Sequence, residues 1–228
     1  MLRRPGFKGS IVFRPLQLSV PLLSALTLFA AGCSDVTIPT AEVPFTDDFD
    51  RETIGPNYYL TGGVWFIEDG RLFTTGGNNA PLFLKAALPA DVVVEVEVQS
   101  HTREVDAKVE LMTDGRRHQS GYVFILGGWD NSISTIARLD EHGADRVEKK
   151  PTEVNAPATW KWRIEKLGGQ IDWYVDGELY LSFRDPQPLS GPGHDRFAFS
   201  NWHNIVSYDD LEIWPYAEAP PRTRPVTP

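Results

Sequence analysis

The chain has 228 residues, 22 basic and 31 acidic side chains, and a formal net charge of -9. Four of the basic residues (Arg3, Arg4, Lys8, Arg14) sit in the first 32 positions, where no acid occurs, so the rest carries 18 basic against 31 acidic groups, a balance of -13. Such a surface lacks the basic face that nucleic-acid binding or a polybasic grip on anionic lipid requires, and the lone cysteine excludes a disulfide within the chain.

The N-terminal segment has the layout of an export signal. A charged stretch over 3–14 is followed by the apolar run LQLSVPLLSALTLFAA and then by Gly32 and Cys33. The run is too short, and too interrupted by Gln17, Ser19 and Pro21, for a good membrane span. Ala30-Ala31-Gly32-Cys33 resembles the bacterial lipobox, although Ala30 stands where that motif usually has Leu. The resemblance implies removal of residues 1–32 and lipid on Cys33, which would hold the protein on the cell envelope. Ser34, in place of Asp, points to the outer membrane by the same resemblance. Residues 33–43 then form a tether, and the Pro-rich tail over 215–228 is expected to be extended or disordered.

Between 44 and 214 the chain shows short β-rich runs broken by Gly, Pro, Asn and Asp, and no amphipathic helix. VWFIE and RLFTT flank Asp69-Gly70, which predicts a hairpin. Strands are predicted over 82–88, 92–100, 106–112, 121–127 and 132–139. In 92–99, Val92, Val94, Val96 and Val98 share one face and Glu95, Glu97 and Gln99 the other, the pattern of a sheet with one dry and one wet side. Residues 159–167, QIDWYV and ELYLSF form a three-strand meander joined at Gly168-Gly169 and Asp176-Gly177, the latter suited to a type I′ turn. Strands over 196–201 and 206–214 complete the series. This is an all-β chain of two antiparallel sheets.

Asp47-Asp48-Phe49, Trp65 with Asp69-Gly70 and Leu72, Trp173-Tyr174-Val175-Asp176-Gly177 and Tyr208-Asp209-Asp210-Leu211-Glu212-Ile213 together resemble the concanavalin A-like lectin and glucanase superfamily, with closest likeness to laminin-G-like modules and the 3-keto-disaccharide hydrolase domain. The resemblance covers most of 45–214 and implies a two-sheet jelly-roll that binds or cleaves carbohydrate.

Three kinds of candidate site follow from the residues. Glu95 and Glu97, two apart on a strand, are candidate catalytic carboxylates. Glycoside hydrolases of family 16 carry an acidic triplet on alternating strand positions, however, and Gln99 stands where the third acid belongs. The plainer reading pairs this strand face with Lys108 and Glu110 across the sheet. A second candidate is a sugar-binding surface of Tyr122, Trp129, Asp130, Asn131, Arg138, His194, Asn201, Trp202 and His203, since rings stack on sugar C–H faces while amides, acids and Arg bond hydroxyls. The third is a structural Ca²⁺ held by Asp47, Asp48, Asp209 and Asp210, where the first and last strands would meet. Zinc is disfavoured, because the five histidines show no helical ligand pair. Finally, the absence of Gly-x-Ser-x-Gly and of a further cysteine excludes the usual nucleophiles. A glycan-binding lipoprotein, a disaccharide-acting hydrolase drawing on Glu95, Glu97, Glu110, His118 or His203, and a structural envelope protein remain open, because the fold hosts them all.

Overall fold

A computed structural model describes residues 40–152 and 154–222. The described residues form fifteen strands in chain order: β1 Phe45–Asp47, β2 Tyr58–Leu60, β3 Val64–Glu68, β4 Arg71–Thr75, β5 Leu82–Leu84, β6 Val92–Ser100, β7 Ala107–Thr113, β8 Tyr122–Gly127, β9 Ile133–Arg138, β10 Arg146–Lys149, β11 Ala158–Leu167, β12 Gln170–Val175, β13 Glu178–Arg184, β14 Arg196–Asn201 and β15 Ile205–Pro215. They build two antiparallel sheets. The first runs β13-β12-β11-β6-β15-β4-β3, with β1 also paired to β15, and the second runs β10-β9-β8-β7-β14-β5-β2.

Alternation along each strand sets the core. Val92, Val94, Val96 and Val98 of β6 pack between the sheets, as their spacing predicts, together with Ala107, Val109 and Leu111 of β7. Trp162 and Trp173 are fully buried there and meet edge to face at 4.7 Å. Such a pair contributes about 1 kcal/mol beyond its buried area. The Asp69-Gly70 and Asp176-Gly177 turns have positive φ at both residues (49° and 71°, 51° and 82°), the geometry that matches the twist of a tight hairpin.

Three expectations need correction. β6 pairs with β11 and β15, whereas Lys108 and Glu110 lie on β7 in the other sheet, so the acidic face of β6 never meets them. Periodicity reports which residues share a face; it does not report which sheet a strand joins. Strands β2 and β10 have no counterpart among the expected strands: β2 is three residues long, and β10 (RVEK) is a half-buried edge with no apolar alternation. Lastly, the described part of the C-terminal segment is packed: Arg163 Nη2 donates to Pro220 O at 2.9 Å, and Arg222 lies 3.4 Å from Glu165 and over the Tyr174 ring at 4.2 Å.

Candidate ligand-binding site

The second sheet is covered on both sides. Lys108 and Glu110 alternate with the core residues of β7 and so point away from the first sheet, yet they are only 3% and 0% exposed. Phe83, Val123, Ile125, Ala137 and Ala198 are also buried without belonging to the core between the sheets. Loop residues close over this outer face: Asn79 between β4 and β5, His118 between β7 and β8, and Glu141 after β9.

A buried ion persists only where opposite charge and hydrogen bonds replace water, and the five charged groups here form a continuous chain. Lys108 Nζ donates to Asn79 Oδ1 at 2.9 Å, lies 3.3 Å from both Glu141 oxygens, and is 3.5 Å from Asp106. His118 Nδ1 is 2.7 Å from Glu110 Oε1, and its Nε2 is 3.3 Å from Glu141 Oε2. The backbone N–H of Gln119 donates to the other Glu110 oxygen at 3.0 Å. Burial pulls the His118 imidazole down, but Glu110 and Glu141 outweigh it and raise its pKa to about 9. Burial pushes Glu141 up, and His118 with Lys108 overcomes that to bring it to about 2. Burial raises Asp106 in spite of Lys108.

Above this network lies a cleft of about 460 Å³, where the start of β7 meets the ends of β8 and β14. Asp106, Lys108 and Glu141 form its base. Asn79, Trp129 and Trp202 stand around them, with Glu104, Asp130, His142, His203 and Asn204 completing the lining. Trp202 is 43% exposed, a large apolar group open to solvent.

Both tryptophans are held by irregular backbone. Trp129, Asp130 and Asn131 have φ of 50°, 56° and 60°, a left-handed turn that costs about 1–2 kcal/mol per residue. It is entered through Gly127, where a Cβ would lie 2.7 Å from Asn131 Oδ1 and 2.8 Å from Val105 Cβ. Asn131 clamps the turn by accepting from Val105 N at 2.9 Å and donating to Arg103 O at 2.7 Å. Trp129 then meets His142 edge-on at 5.5 Å, with the Arg146 guanidinium over its ring. On the other side, Asn201 accepts from Gly77 N and donates to Asn204 O, while Asn78 N donates to Trp202 O at 2.7 Å.

The predicted site residues therefore divide. Trp129, Asp130, Trp202 and His203 line the cleft. Asn131 and Asn201 shape its two loops from behind. Tyr122 is fully buried; its hydroxyl donates to Asp185 at 2.5 Å, and Arg138 Nε binds the same carboxylate, so both hold the 185–189 loop instead of facing a ligand. His194 rests against Met112 O at 3.2 Å.

Glu95 and Glu97 lie on the outer face of the first sheet, away from the cleft. Glu95 is ion-paired to Arg163 at 2.6 Å and Lys161 at 3.1 Å, and Glu97 to Arg71 at 2.6 Å. Of the proposed calcium ligands, Asp47, Asp48 and Asp210 line one small cavity with Glu212 where β1 and β15 adjoin, with Asp47 also bound by Arg51 and Tyr58, while Asp209 pairs with Arg71 at 3.0 Å. Among the described residues no group of three or more His, Cys, Asp or Glu is arranged to hold a metal ion. Cys33 lies outside the described residues.

Sequence reasoning missed Asn79, Glu104, Asp106, Glu141 and His142 as parts of the site, and placed Lys108 in the wrong sheet. The available signal was AKVELMT, a strand with two ionisable residues on one face and no turn residue to bring them to water.

No protein-family model matches the chain, and no curated protein matches it. Solved structures do resemble its fold. The carbohydrate-binding module CBM66 from Bacillus subtilis is 12% identical with a TM-score of 0.56, over 72% of this chain and 96% of that one. The β-glucanase of Bacillus licheniformis is 11% identical with a TM-score of 0.55, over 75% and 97%. The laminarinase catalytic domain from Thermotoga maritima MSB8 is 15% identical with a TM-score of 0.52, over 74% and 96%. At these identities the likeness is one of fold: the chain is a two-sheet antiparallel jelly-roll of the concanavalin A-like class.

Proposed function

We propose that this protein is a lipid-anchored glycan-binding module of the bacterial cell envelope, with the cleft between Trp129 and Trp202 as its carbohydrate site. The observation that carries this reading is two tryptophans, one of them held by a strained left-handed turn, standing around a cleft that also carries carboxylates, amides and histidines. Strain of that kind persists only where the surroundings over-determine it, and it clusters at functional sites. Rings for sugar C–H faces, with Asn79, Asn204, His203 and carboxylates for hydroxyls, suit an oligosaccharide. The jelly-roll neighbours, a carbohydrate-binding module and glucanases, are consistent with a carbohydrate partner. Anchoring rests on the lipobox-like sequence ending at Cys33.

Binding is favoured over hydrolysis because Glu95 and Glu97, the expected catalytic pair, lie away from the cleft; of the cleft acids only Asp106, raised by burial, is shifted toward the protonated form. A general acid must carry a proton near neutral pH, and Glu141, with a pKa of about 2, has none to give. Glu110 is fully buried, while Glu95 and Glu97 are ion-paired on the other sheet. Proton NMR of the purified protein mixed with a panel of oligosaccharides, including 3-keto-disaccharides, reads binding and turnover together. Broadened sugar signals without new products are expected. Trp129→Ala and Trp202→Ala should each weaken binding by about three- to tenfold, the contribution of one aromatic contact. Growing product signals would replace the binding reading with the hydrolase. No response from any sugar would leave a structural envelope protein.

A further inference from the structure

The charge of the cleft narrows its ligand. Four carboxylates line it (Glu104, Asp106, Asp130 and Glu141), against one ammonium, Lys108. That ammonium is spent, since Asp106, Glu141 and Asn79 surround it at the base. Arg146, stacked over Trp129, is ion-paired to Glu148. Glu104 and Asp130 are exposed at the rim, and neither has an ion-pair partner among the described residues. An anionic sugar would meet these acids with no free cation to receive it, at a cost of like-charge repulsion. A ligand ammonium would find two carboxylates, the exposed Trp202 ring and the side of Trp129 that Arg146 does not cover, an arrangement that attracts cations through both charge and ring quadrupole. The surplus of acidic groups over the whole chain, -9 in formal charge, adds a field of the same sign.

Resting on the glycan-binding reading above, we infer that the cleft selects oligosaccharides bearing free amino groups and rejects those bearing carboxylates or sulfates. The amine sits between the Trp129 and Trp202 rings and the Asp130 and Glu104 carboxylates. The sugar hydroxyls take Asn79, Asn204 and His203.

Calorimetric titration of the purified protein tests this with four probes: a glucosamine tetramer, its fully N-acetylated counterpart, a galacturonic acid tetramer and tetralysine. The glucosamine tetramer should bind at least about fivefold more tightly than the acetylated one, as two rim ion pairs allow, and the advantage should shrink in high salt. The galacturonate should not bind. Asp130→Asn, which keeps a residue tolerant of positive φ, and Glu104→Gln should each weaken the glucosamine tetramer by about threefold and weaken the acetylated tetramer by clearly less. Equal affinity for the two glucosamine tetramers, or binding of the galacturonate, overturns the inference while glycan binding stands. Tetralysine binding as tightly as the amino sugar overturns it in favour of bare charge attraction. Silence from all three sugars overturns the glycan-binding reading along with it.

Discussion

Replacing His118 with Gln isolates the ion network beneath the cleft. The imidazole has an ordinary pKa of 6.5 and is raised to about 9 in the fold by Glu110 at 2.7 Å and Glu141 at 3.3 Å. Because each pKa unit corresponds to 1.36 kcal/mol, the protonated ring stabilises the folded state by about 3 kcal/mol. The folded value lies above the unfolded one. The stabilisation is therefore complete below pH 6.5, declines as pH rises, and is gone above pH 9. Glutamine can still donate to Glu110, but it carries no charge. His118→Gln should accordingly cost about 3 kcal/mol at pH 6, with the gap to the parent closing between pH 6.5 and 9. Urea unfolding followed by fluorescence at a series of pH values measures both proteins, and groups that titrate alike in the two cancel in the difference. A gap that stays constant between pH 6 and 10 would refute the ion chain, as would an NMR titration of folded His118 centred at its ordinary 6.5.

Two further outcomes are expected. Asn131→Ala removes hydrogen bonds to Val105 N and Arg103 O and leaves alanine at a φ of 60°; it should destabilise by about 2–3 kcal/mol in urea unfolding and weaken glycan binding without touching ligand, and Asn131→Gly should recover the backbone part of the loss. Cys33→Ala should abolish lipid attachment, read as loss of incorporated palmitate and release of the protein from the membrane fraction, whereas unchanged membrane retention would point to another anchor.

Much of the fold could be read from local pattern. A strand alternates its side chains whatever it pairs with, so Val92 to Val98 and Trp160, Trp162 and Ile164 declared their buried faces directly, whereas further along the same strand Lys166 is buried and Leu167 exposed. The Asp-Gly turns at 69–70 and 176–177 are equally local, since a type I′ turn asks for positive φ at two adjacent residues. Trp129, Asp130, Trp202 and His203 could also be singled out, as polar and aromatic residues concentrated in turns.

Alternation could not say which polar face matters. Glu95 and Glu97 share the two-residue spacing of Lys108 and Glu110, but the first pair lies among arginines on the outside of one sheet, and the second lies buried under loops on the other. That difference depends on strand order, which brings β7 between β8 and β14 and sets β6 between β11 and β15. It also depends on Glu141 reaching Lys108 across 33 positions of sequence. The sequence by itself determined an all-β chain, its hairpins and most of its core faces, because each of these is written in neighbouring residues. Only the tertiary structure decided that Lys108 and Glu110, on the outer face of the second sheet, are dry, because burial of a charge is a property of what folds over it.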